Sequence, residues 1–177
     1  MNIAVFLSQY DVAEKYQNVA KTFARLIAEG GHGLVWGGAD EGLMSIVANT
    51  AKSGGSRIVG VIREQIKGKA HAGADEMHVV KNAYEMNLGI IERADAIVAL
   101  VGGIGTLNEL TEVLRMNKSG LHTKPVIFIN TDNFYDGFKA QLVRMSAESF
   151  LKKEVMDSAY FAATPEDAMR YITKHGD

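Results

Sequence analysis

Apolar residues occur along this chain in short runs and in spaced stripes, and the two patterns alternate. The run ADAIVAL, 94–100, is almost continuously apolar and has the length of a strand that is buried on both faces. By contrast, Val12, Tyr16, Val19 and Phe23 recur at spacings of three and four, which predicts an amphipathic helix over 11–29. The alternation therefore predicts strands that are followed by helices along the whole chain.

Seven strands are predicted, with helices between most of them. The strands are at 2–7, 33–36, 57–62, 76–81, 94–100, 126–131 and 160–163. The helices are at 11–29, from the turn at 37–42 to about 53, at 83–93, after 105, at 135–149, and from Pro165 with Thr164 as N-cap. This order predicts an α/β fold: one domain over 1–177 with a doubly wound, mostly parallel sheet of about seven strands flanked by helices. Such sheets bind ligands at the carboxyl ends of their strands, where the strand order reverses.

Composition narrows the classes of function. The chain has 177 residues, of which 47% are hydrophobic, and its net charge is −2, so general binding of nucleic acid is not expected. It has no cysteine, which excludes disulfides, thiol nucleophiles and cysteine-ligated metals. Its first residues lack the pattern of a signal peptide, and no apolar run is long enough to span a membrane. We therefore expect a cytoplasmic protein with neither nucleic acid nor membrane as partner.

Two glycine-rich turns follow predicted strands, Gly37-Gly38 in GGADEG and Gly102-Gly103 in GGIGT. Neither has the G-x-G-x-x-G spacing of a dinucleotide fingerprint, and the chain has no Walker motif. Both turns are expected at the same edge of the sheet. The second turn leads into a predicted helix, whose free N–H groups would suit an anion.

Thr106 and Glu109 allow two interpretations. Thr-x-x-Glu at the start of a helix is a capping box, and the local pattern alone favours a cap over a ligand site. In the other interpretation, a phosphate lies on the N–H groups of Gly103 to Thr106 and Glu109 faces a sugar. Glu112, one turn further, then either forms a carboxylate pair with Glu109, which would activate water as in glycoside hydrolysis, or simply complements the helix dipole.

Other residues with reactive side chains give weaker signals. The five histidines lack metal-ligand spacing, and we expect them at the surface or in loops, with no metal site: His32, His71, His78, His122 and His175. Asp40 and Glu41 would repel a phosphate, so the first glycine turn is expected to contact a base or ribose, or nothing. The methionines, Met44 and Met86 included, are expected to fill the core.

With these motifs the chain resembles the LONELY GUY family, whose members are often labelled "lysine decarboxylase-like". GGIGTLNE resembles the family signature PGGxGTxxE, and GGADEGLMS resembles GGGxxGLMG. ADAIVAL before the second turn and KPVIFINTDNFYDGF after it extend the similarity over almost the whole chain. The resemblance implies a Rossmann-like domain that forms a homodimer. It also implies hydrolysis of an N6-modified adenosine 5′-monophosphate to free base and ribose 5-phosphate, with no cofactor.

The resemblance also implies site residues. It assigns the substrate's phosphate and ribose to Gly102, Gly103, Ile104, Gly105 and Thr106. Glu109 matches the catalytic acid and Glu112 a second glutamate of the family. Candidates for a base or ribose loop are Ser8, Gly37, Gly38, Met86 and Asn87.

The chain departs from the family pattern at several positions. Val101 replaces the signature proline, Ser8-Gln9-Tyr10 replaces Gly-Ser-Ser, and Ser45 replaces a glycine. Most important, Met86 and Asn87 stand where the family has an Arg-Lys pair, whose arginine acts in catalysis or beside the phosphate. Lys81 and Arg93 are the candidates to replace that guanidinium.

Three functions remain open from the sequence. The leading hypothesis is a phosphoribohydrolase acting on a purine nucleoside 5′-monophosphate. The second is a nucleotide or sugar-phosphate binding protein that has lost hydrolysis together with the arginine. In the third, the glycine turns are purely structural.

Overall fold

The computed structural model describes residues 1–175 and contains a single sheet of seven parallel strands. The strands are β1 (Asn2–Phe6), β2 (Gly33–Trp36), β3 (Ile58–Arg63), β4 (Glu76–Val80), β5 (Ala96–Ala99), β6 (Val126–Ile129) and β7 (Ala159–Ala162). Their order across the sheet is β4-β3-β2-β1-β5-β6-β7. The predicted Rossmann-like α/β architecture, with its seven strands, is confirmed.

The strand order reverses between β1 and β5. Up to β4 the chain adds strands on one side of β1, and β5 then pairs with the other side of β1, with Ala4 opposite Ile97. The carboxyl ends of β1, β3 and β5 consequently open on the same edge of the sheet. A ligand is expected at this edge, where the loops after β1 and β5 diverge.

Seven α-helices cover the two faces of the sheet within residues 1–175. They are α1 (Glu14–Glu29), α2 (Gly42–Ser53), α3 (Ala83–Glu92), α4 (Ile104–Lys118), α5 (Asp136–Ala147), α6 (Lys153–Asp157) and α7 (Pro165–His175). Helices α1, α2 and α7 share one apolar cluster with the sheet, and α3, α4, α5 and α6 share the other. Because both faces are covered, the central strands are almost entirely apolar, as ADAIVAL predicts.

The observed ends of several elements differ from the predicted ends. Helix α1 begins at Glu14, because Asp11 belongs to the loop after β1. Strand β3 extends one residue beyond the prediction, to Arg63, which pairs with Val80 of β4. The N-cap of α7 is confirmed, since the N–H of Asp167 donates to Thr164 Oγ1 at 3.2 Å.

His71 and His122, which were expected at the surface or in loops, both lie in loops but are buried there. His71 Nε2 lies 3.1 Å from Asn49 Oδ1, and its ring packs edge-on against Trp36. His122 Nε2 lies 3.0 Å from the carbonyl oxygen of Val113, and burial lowers the pKa of this imidazole. Both rings fill the interior and satisfy a neighbouring polar group, which explains their burial.

Among residues 1–175, no helix is both long enough and apolar enough to cross a membrane.

Candidate functional site

The turn after β5 leads directly into α4 and leaves the start of that helix uncapped. Gly103 is the N-cap residue and, within residues 1–175, no side chain caps the helix. The first helical hydrogen bond runs from the N–H of Leu107 to the carbonyl of Gly103, at 3.0 Å. The preceding amides, from Ile104 to Thr106, therefore have no partner within the helix, and they add to the positive end of its dipole.

Thr106 is not an N-cap, so the capping-box interpretation of Thr106 and Glu109 was wrong. The helix begins at Ile104, three residues earlier than a helix capped by Thr106 would begin. Thr106 thus lies within the first helical turn, with only 4% of its surface exposed, and its side chain packs against Gly102. Glu109 lies one turn further along α4, too far along the helix to reach back to a cap.

Of the three glycines in this turn, one is required by the packing of the protein and two are not. A Cβ on Gly102 would lie 2.2 Å from Thr106 Oγ1, so packing of the turn requires a glycine there. A Cβ on Gly103 or Gly105 would meet no protein atom within 4 Å, and neither residue has a positive φ. The fold therefore does not need glycine at these two positions, whereas close approach of a ligand to the backbone would.

A cavity of about 430 Å³ opens beside the start of α4, at the reversal of strand order. Its lining comes from the loop after β1, from α2, from the end of β3 and from α4: Leu7, Ser8, Gln9, Tyr10, Met44, Arg63, Gly103, Ile104, Gly105, Thr106 and Glu109. Of the residues that the sequence singles out, Ser8, the stretch from Gly103 to Thr106, and Glu109 all line it. Gly102 lies behind the lining and supports it through Thr106.

Glu109 is the acidic side chain of this cavity. The surrounding protein desolvates its carboxyl group and raises its pKa to about 7, and the positive charge of Arg63 opposes that rise. Tyr135 is buried close by: its hydroxyl donates to the carbonyl of Leu100 at 2.6 Å, and both burial and the charge of Glu109 raise its pKa. A carboxyl group with a pKa near neutrality is suited to exchanging protons with a substrate or with water.

Arg63 also lines the cavity, although it was not among the predicted site residues. It is the last residue of β3, it is half-buried, and within residues 1–175 its guanidinium makes neither a hydrogen bond nor an ion pair. The predicted strand ended at Ile62, so Arg63 fell just outside it. The signal that marks it is an arginine directly after an apolar strand, where parallel strands present their ligand-binding residues.

The loop after β1 forms the wall opposite α4. Ser8 Oγ accepts a hydrogen bond of 3.0 Å from the N–H of Tyr10, which closes a tight turn. The start of α2 lies against this turn, because a Cβ on Gly42 would be 2.4 Å from the carbonyl oxygens of Gln9 and Tyr10. Gly42 also has a φ of 51°, so glycine is required there on two counts, and Met44, expected as core filler, is brought to the cavity.

A second, apolar cleft of about 240 Å³ lies on the other side of the turn at Gly102-Gly103. It lies among Tyr10, Tyr16 and Phe134, and it shares Ser8, Tyr10 and Gly103 with the first cavity. An ion pair of 2.6 Å between Lys15 and Asp132 ties α1 to the segment that carries Phe134. The cleft therefore adjoins the candidate site, with which it shares three lining residues.

Glu112 is not among the residues that line the cavity. Its carboxylate accepts two hydrogen bonds of 2.8 Å from Arg115, at Nε and Nη2, and these bonds lower its pKa. Glu109 and Glu112 thus share a helix, but within the described structure the carboxylate of Glu112 is engaged elsewhere.

The remaining predicted site residues also lie away from the cavity lining. Gly37 and Gly38 are buried, and a Cβ on Gly38 would lie 2.8 Å from the sulfur of Met77, so this turn packs against β4. Met86 belongs to the core between α3 and the sheet, while Asn87 is 1% exposed and its Oδ1 has no hydrogen-bond partner within residues 1–175.

The charged residues of the first glycine turn, and the two candidates for the missing guanidinium, do not line the cavity either. Glu41 forms an ion pair of 2.8 Å with Lys69, and Asp40 accepts a hydrogen bond of 2.5 Å from Ser45. Neither candidate for the missing guanidinium lines the cavity: Lys81 is exposed, and Arg93 Nη1 donates to the carbonyl of Gly89 at 2.9 Å. Over the described residues, His, Asp and Glu side chains nowhere cluster in a group that could hold a metal ion.

Comparison with known proteins gives this geometry a family context. The profile of a family described as "Possible lysine decarboxylase" matches residues 44–172. A cytokinin riboside 5′-monophosphate phosphoribohydrolase of Rhodococcoides fascians is 38% identical over 140 residues, which cover 77% of this chain and 71% of the relative. The protein of that name in Oryza sativa subsp. japonica, called LOG, is 35% identical over 162 residues, which cover 90% of this chain and 67% of the relative.

Solved structures agree on the fold. A molybdenum cofactor binding protein of Rippkaea orientalis superposes with a TM-score of 0.73 over 98% of this chain and 95% of its own, at 23% identity. At that identity the likeness concerns the fold alone. The family profile, which spans most of the chain, and the relatives named above lead to one conclusion: the chain belongs to the LONELY GUY family.

Proposed function

We propose that this protein hydrolyses the N-glycosidic bond of a purine nucleoside 5′-monophosphate, N6-modified or not, to the free base and ribose 5-phosphate. One observation carries the proposal: the uncapped, glycine-lined start of α4 and the carboxyl group of Glu109, with its pKa near 7, line the same cavity. The relatives' names support the same reaction class.

The start of α4 is suited to the phosphate. The free amides of the first turn donate to phosphate oxygens, and the helix dipole favours their negative charge. Because Gly103 and Gly105 carry no side chain and face open space, phosphate oxygens can come within hydrogen-bonding distance of these amides.

Glu109 is suited to act on the ribose. It follows Thr106 by one turn, about 4.5 Å along the helix axis and on the same face. A substrate with its phosphate on the first turn would thus extend its sugar towards the Glu109 carboxylate. In this arrangement the carboxylate takes a proton from water, the water oxygen bonds to C1′, and the bond from C1′ to the base nitrogen breaks. The bond's electrons leave with the base, which then accepts the proton from Glu109.

The test measures ribose 5-phosphate and free base released from a panel of nucleoside 5′-monophosphates, AMP and N6-modified AMP included. Glu109→Gln removes the base while keeping the side-chain volume, and we expect it to lower kcat by about a hundredfold or more. Glu112→Gln is the matched control, because it makes the same change on the same helix outside the cavity, and we expect it to keep activity within about threefold. Equal losses in the two variants would contradict the role of Glu109.

A nucleotide-binding protein without hydrolytic activity is the second candidate. It is favoured by α3, which brings no cation to the cavity: Met86 lies in the core where the family has an arginine. This alternative predicts that nucleoside monophosphates raise the melting temperature of the protein while no ribose 5-phosphate is formed.

We also propose that the protein is a homodimer, as the family resemblance implies. Light scattering coupled to size-exclusion chromatography tests this directly, and a monomeric mass at micromolar concentration would contradict it.

A further inference from the structure

The guanidinium of Arg63 is the group of the cavity whose role neither the fold nor the family signature explains. Arg63 ends β3, lines the cavity and is half-buried, so its charge has already lost part of its hydration. No carboxylate lies within ion-pair distance of it among residues 1–175. A cation in this state has an unmet capacity for hydrogen bonds to an anion.

None of the nearby acidic residues of the described chain forms an ion pair with Arg63, and those on β4 and directly after β3 are paired with other cations. Glu64, the next residue, faces Lys67 at 3.7 Å, and Glu76 on the adjoining strand pairs with Arg57. Glu109 shares the cavity with Arg63, yet the two side chains form no ion pair within 4 Å. The space between Arg63 and the α4 side of the cavity is thus available to a ligand.

The chemistry of the cavity favours a phosphate as the anion that Arg63 binds. A guanidinium donates two parallel hydrogen bonds to phosphate oxygens, with a geometry that the ammonium of lysine lacks. The free amides of α4 supply further donors from another wall of the same cavity. Phosphate dianion close to the Glu109 carboxylate needs such a counter-charge, because two unscreened negative groups repel each other strongly in a partly desolvated site.

We propose that Arg63 is a ligand of the substrate's 5′-phosphate and holds it together with the first-turn amides of α4. This inference rests on the proposed function and adds a residue from β3 to the site. It also gives the cavity a positive side chain, although α3 contributes none.

Binding of two probes, ribose 5-phosphate and adenosine, measured by titration calorimetry, tests the proposal. One probe has the phosphate and the other lacks it. Arg63→Met removes the charge and keeps an unbranched side chain, and Arg63→Lys keeps the charge without the two parallel donors. Arg25→Met, on the exposed side of α1, is the matched control.

We expect Arg63→Met to weaken binding of ribose 5-phosphate by about tenfold to a hundredfold, the loss typical of a charge-assisted hydrogen bond. Arg63→Lys should bind with intermediate affinity, and Arg25→Met like the unmodified protein. Adenosine should bind all four proteins equally, within about twofold, because it has no phosphate. The proposal would be overturned if the affinities for both probes fell equally, or if neither fell. If Arg63→Met does not fold, the affinities of Arg63→Lys are used for the same comparison.

The experiments distinguish a failure of the role of Arg63 from a failure of the proposed hydrolysis. Glu109-dependent hydrolysis that Arg63→Met leaves unchanged, together with unchanged ribose 5-phosphate binding, would overturn the role of Arg63 and leave the function standing. An unmodified protein that binds neither ribose 5-phosphate nor any nucleotide would overturn both.

Discussion

At the scale of single residues, the site is defined by two opposite charges that do not neutralise each other. Glu109 is desolvated enough for its pKa to rise to about 7, and the nearby charge of Arg63 limits that rise. Had the two formed a close ion pair, the carboxylate would be a poor base and the guanidinium a poor ligand for anions. Their separation keeps both groups available for a substrate.

The first prediction concerns the pH dependence of hydrolysis. A base must be ionised, so kcat/KM should fall about tenfold per pH unit below pH 7, where Glu109 becomes protonated. Removing Arg63 removes the effect that lowers this pKa, so Arg63→Met should move the acid limb to higher pH. Measured pH profiles of both proteins check this.

The substrate's own phosphate also titrates near pH 6, and it serves as an internal control. Ionisation of the free substrate has the same effect on kcat/KM for every variant. An acid limb at the same pH in the unmodified protein and in Arg63→Met would therefore contradict the assignment to Glu109.

The second prediction concerns stability. A carboxyl group whose pKa is raised from about 4.5 to about 7 on folding binds its proton more tightly in the native state. Stability should thus fall as the pH rises from 4.5 to 7 and then level off, and Glu109→Gln should escape this loss. Above pH 7 we expect Glu109→Gln to have a free energy of unfolding that is higher by about 1–3 kcal/mol.

Urea unfolding at pH 4.5 and pH 8 measures this effect. The two proteins should differ little at pH 4.5 and clearly at pH 8. A Glu109→Gln protein that is less stable at pH 8 would show that the carboxylate supports the fold, against the view that its burial serves function at a cost in stability.

At the scale of elements, α4 decides between a structural and a functional interpretation of the glycine turn. The sequence Thr-x-x-Glu favours a cap, but the helix begins at Ile104 and buries Thr106 in its first turn. The turn is then held by the contact between Gly102 and Thr106, and the amides of the first turn are left free. Glycines at 103 and 105 have no structural requirement, which favours a ligand.

The third prediction follows from this contrast. Gly102→Ala should destabilise the protein by about 1–3 kcal/mol, because the new methyl group collides with buried Thr106. Gly105→Ala should leave stability unchanged or raise it by up to about 1 kcal/mol, since alanine favours the helix and meets no protein atom. Yet Gly105→Ala should weaken binding of ribose 5-phosphate, as its methyl group crowds the anion.

Thermal unfolding and calorimetric titration of the two variants check the third prediction. Unchanged affinity in a stable Gly105→Ala protein would favour the interpretation in which these turns are only structural.

Elements that show a local sequence pattern were predictable, whereas features that depend on tertiary contacts were not. Strand β5 and helix α1 were predictable because each shows a local apolar pattern, and Thr164 because a cap is a local hydrogen bond. The five-residue helix α6 was not predicted, because so short a segment shows no complete apolar stripe. The burial of His71 and His122 was not predicted, since it depends on how these loops pack against Trp36 and the carbonyl of Val113.

The candidate site was partly predictable for the same reason. The start of α4 and Glu109 lie within one local motif, so the sequence was sufficient to indicate them. Arg63 is distant from that motif in sequence, and only the parallel order of β3, β2, β1 and β5 brings it to the same edge. Lys81 and Arg93 were nearer in sequence to Met86 but belong to surfaces outside the cavity.

At the scale of the whole molecule, the reversal of strand order accounts for the position of the site. Loops after β1 and β5 separate there, and the cavity lies between them, with β3 supplying the cation and α4 the anion-binding amides and the carboxylate. Family membership and this arrangement support the same reaction. Because α3 has the buried Met86 where the family resemblance implies an arginine, turnover has to be measured as well as binding.

The most direct measurement is the release of ribose 5-phosphate from AMP and N6-modified AMP by the unmodified protein, Glu109→Gln and Glu112→Gln, with binding followed in the same samples. We predict that the unmodified protein and Glu112→Gln release base and ribose 5-phosphate in equal amounts. Glu109→Gln should bind the nucleotide without releasing either product. Nucleotide binding with no release by the unmodified protein would contradict the account and identify a binding protein instead.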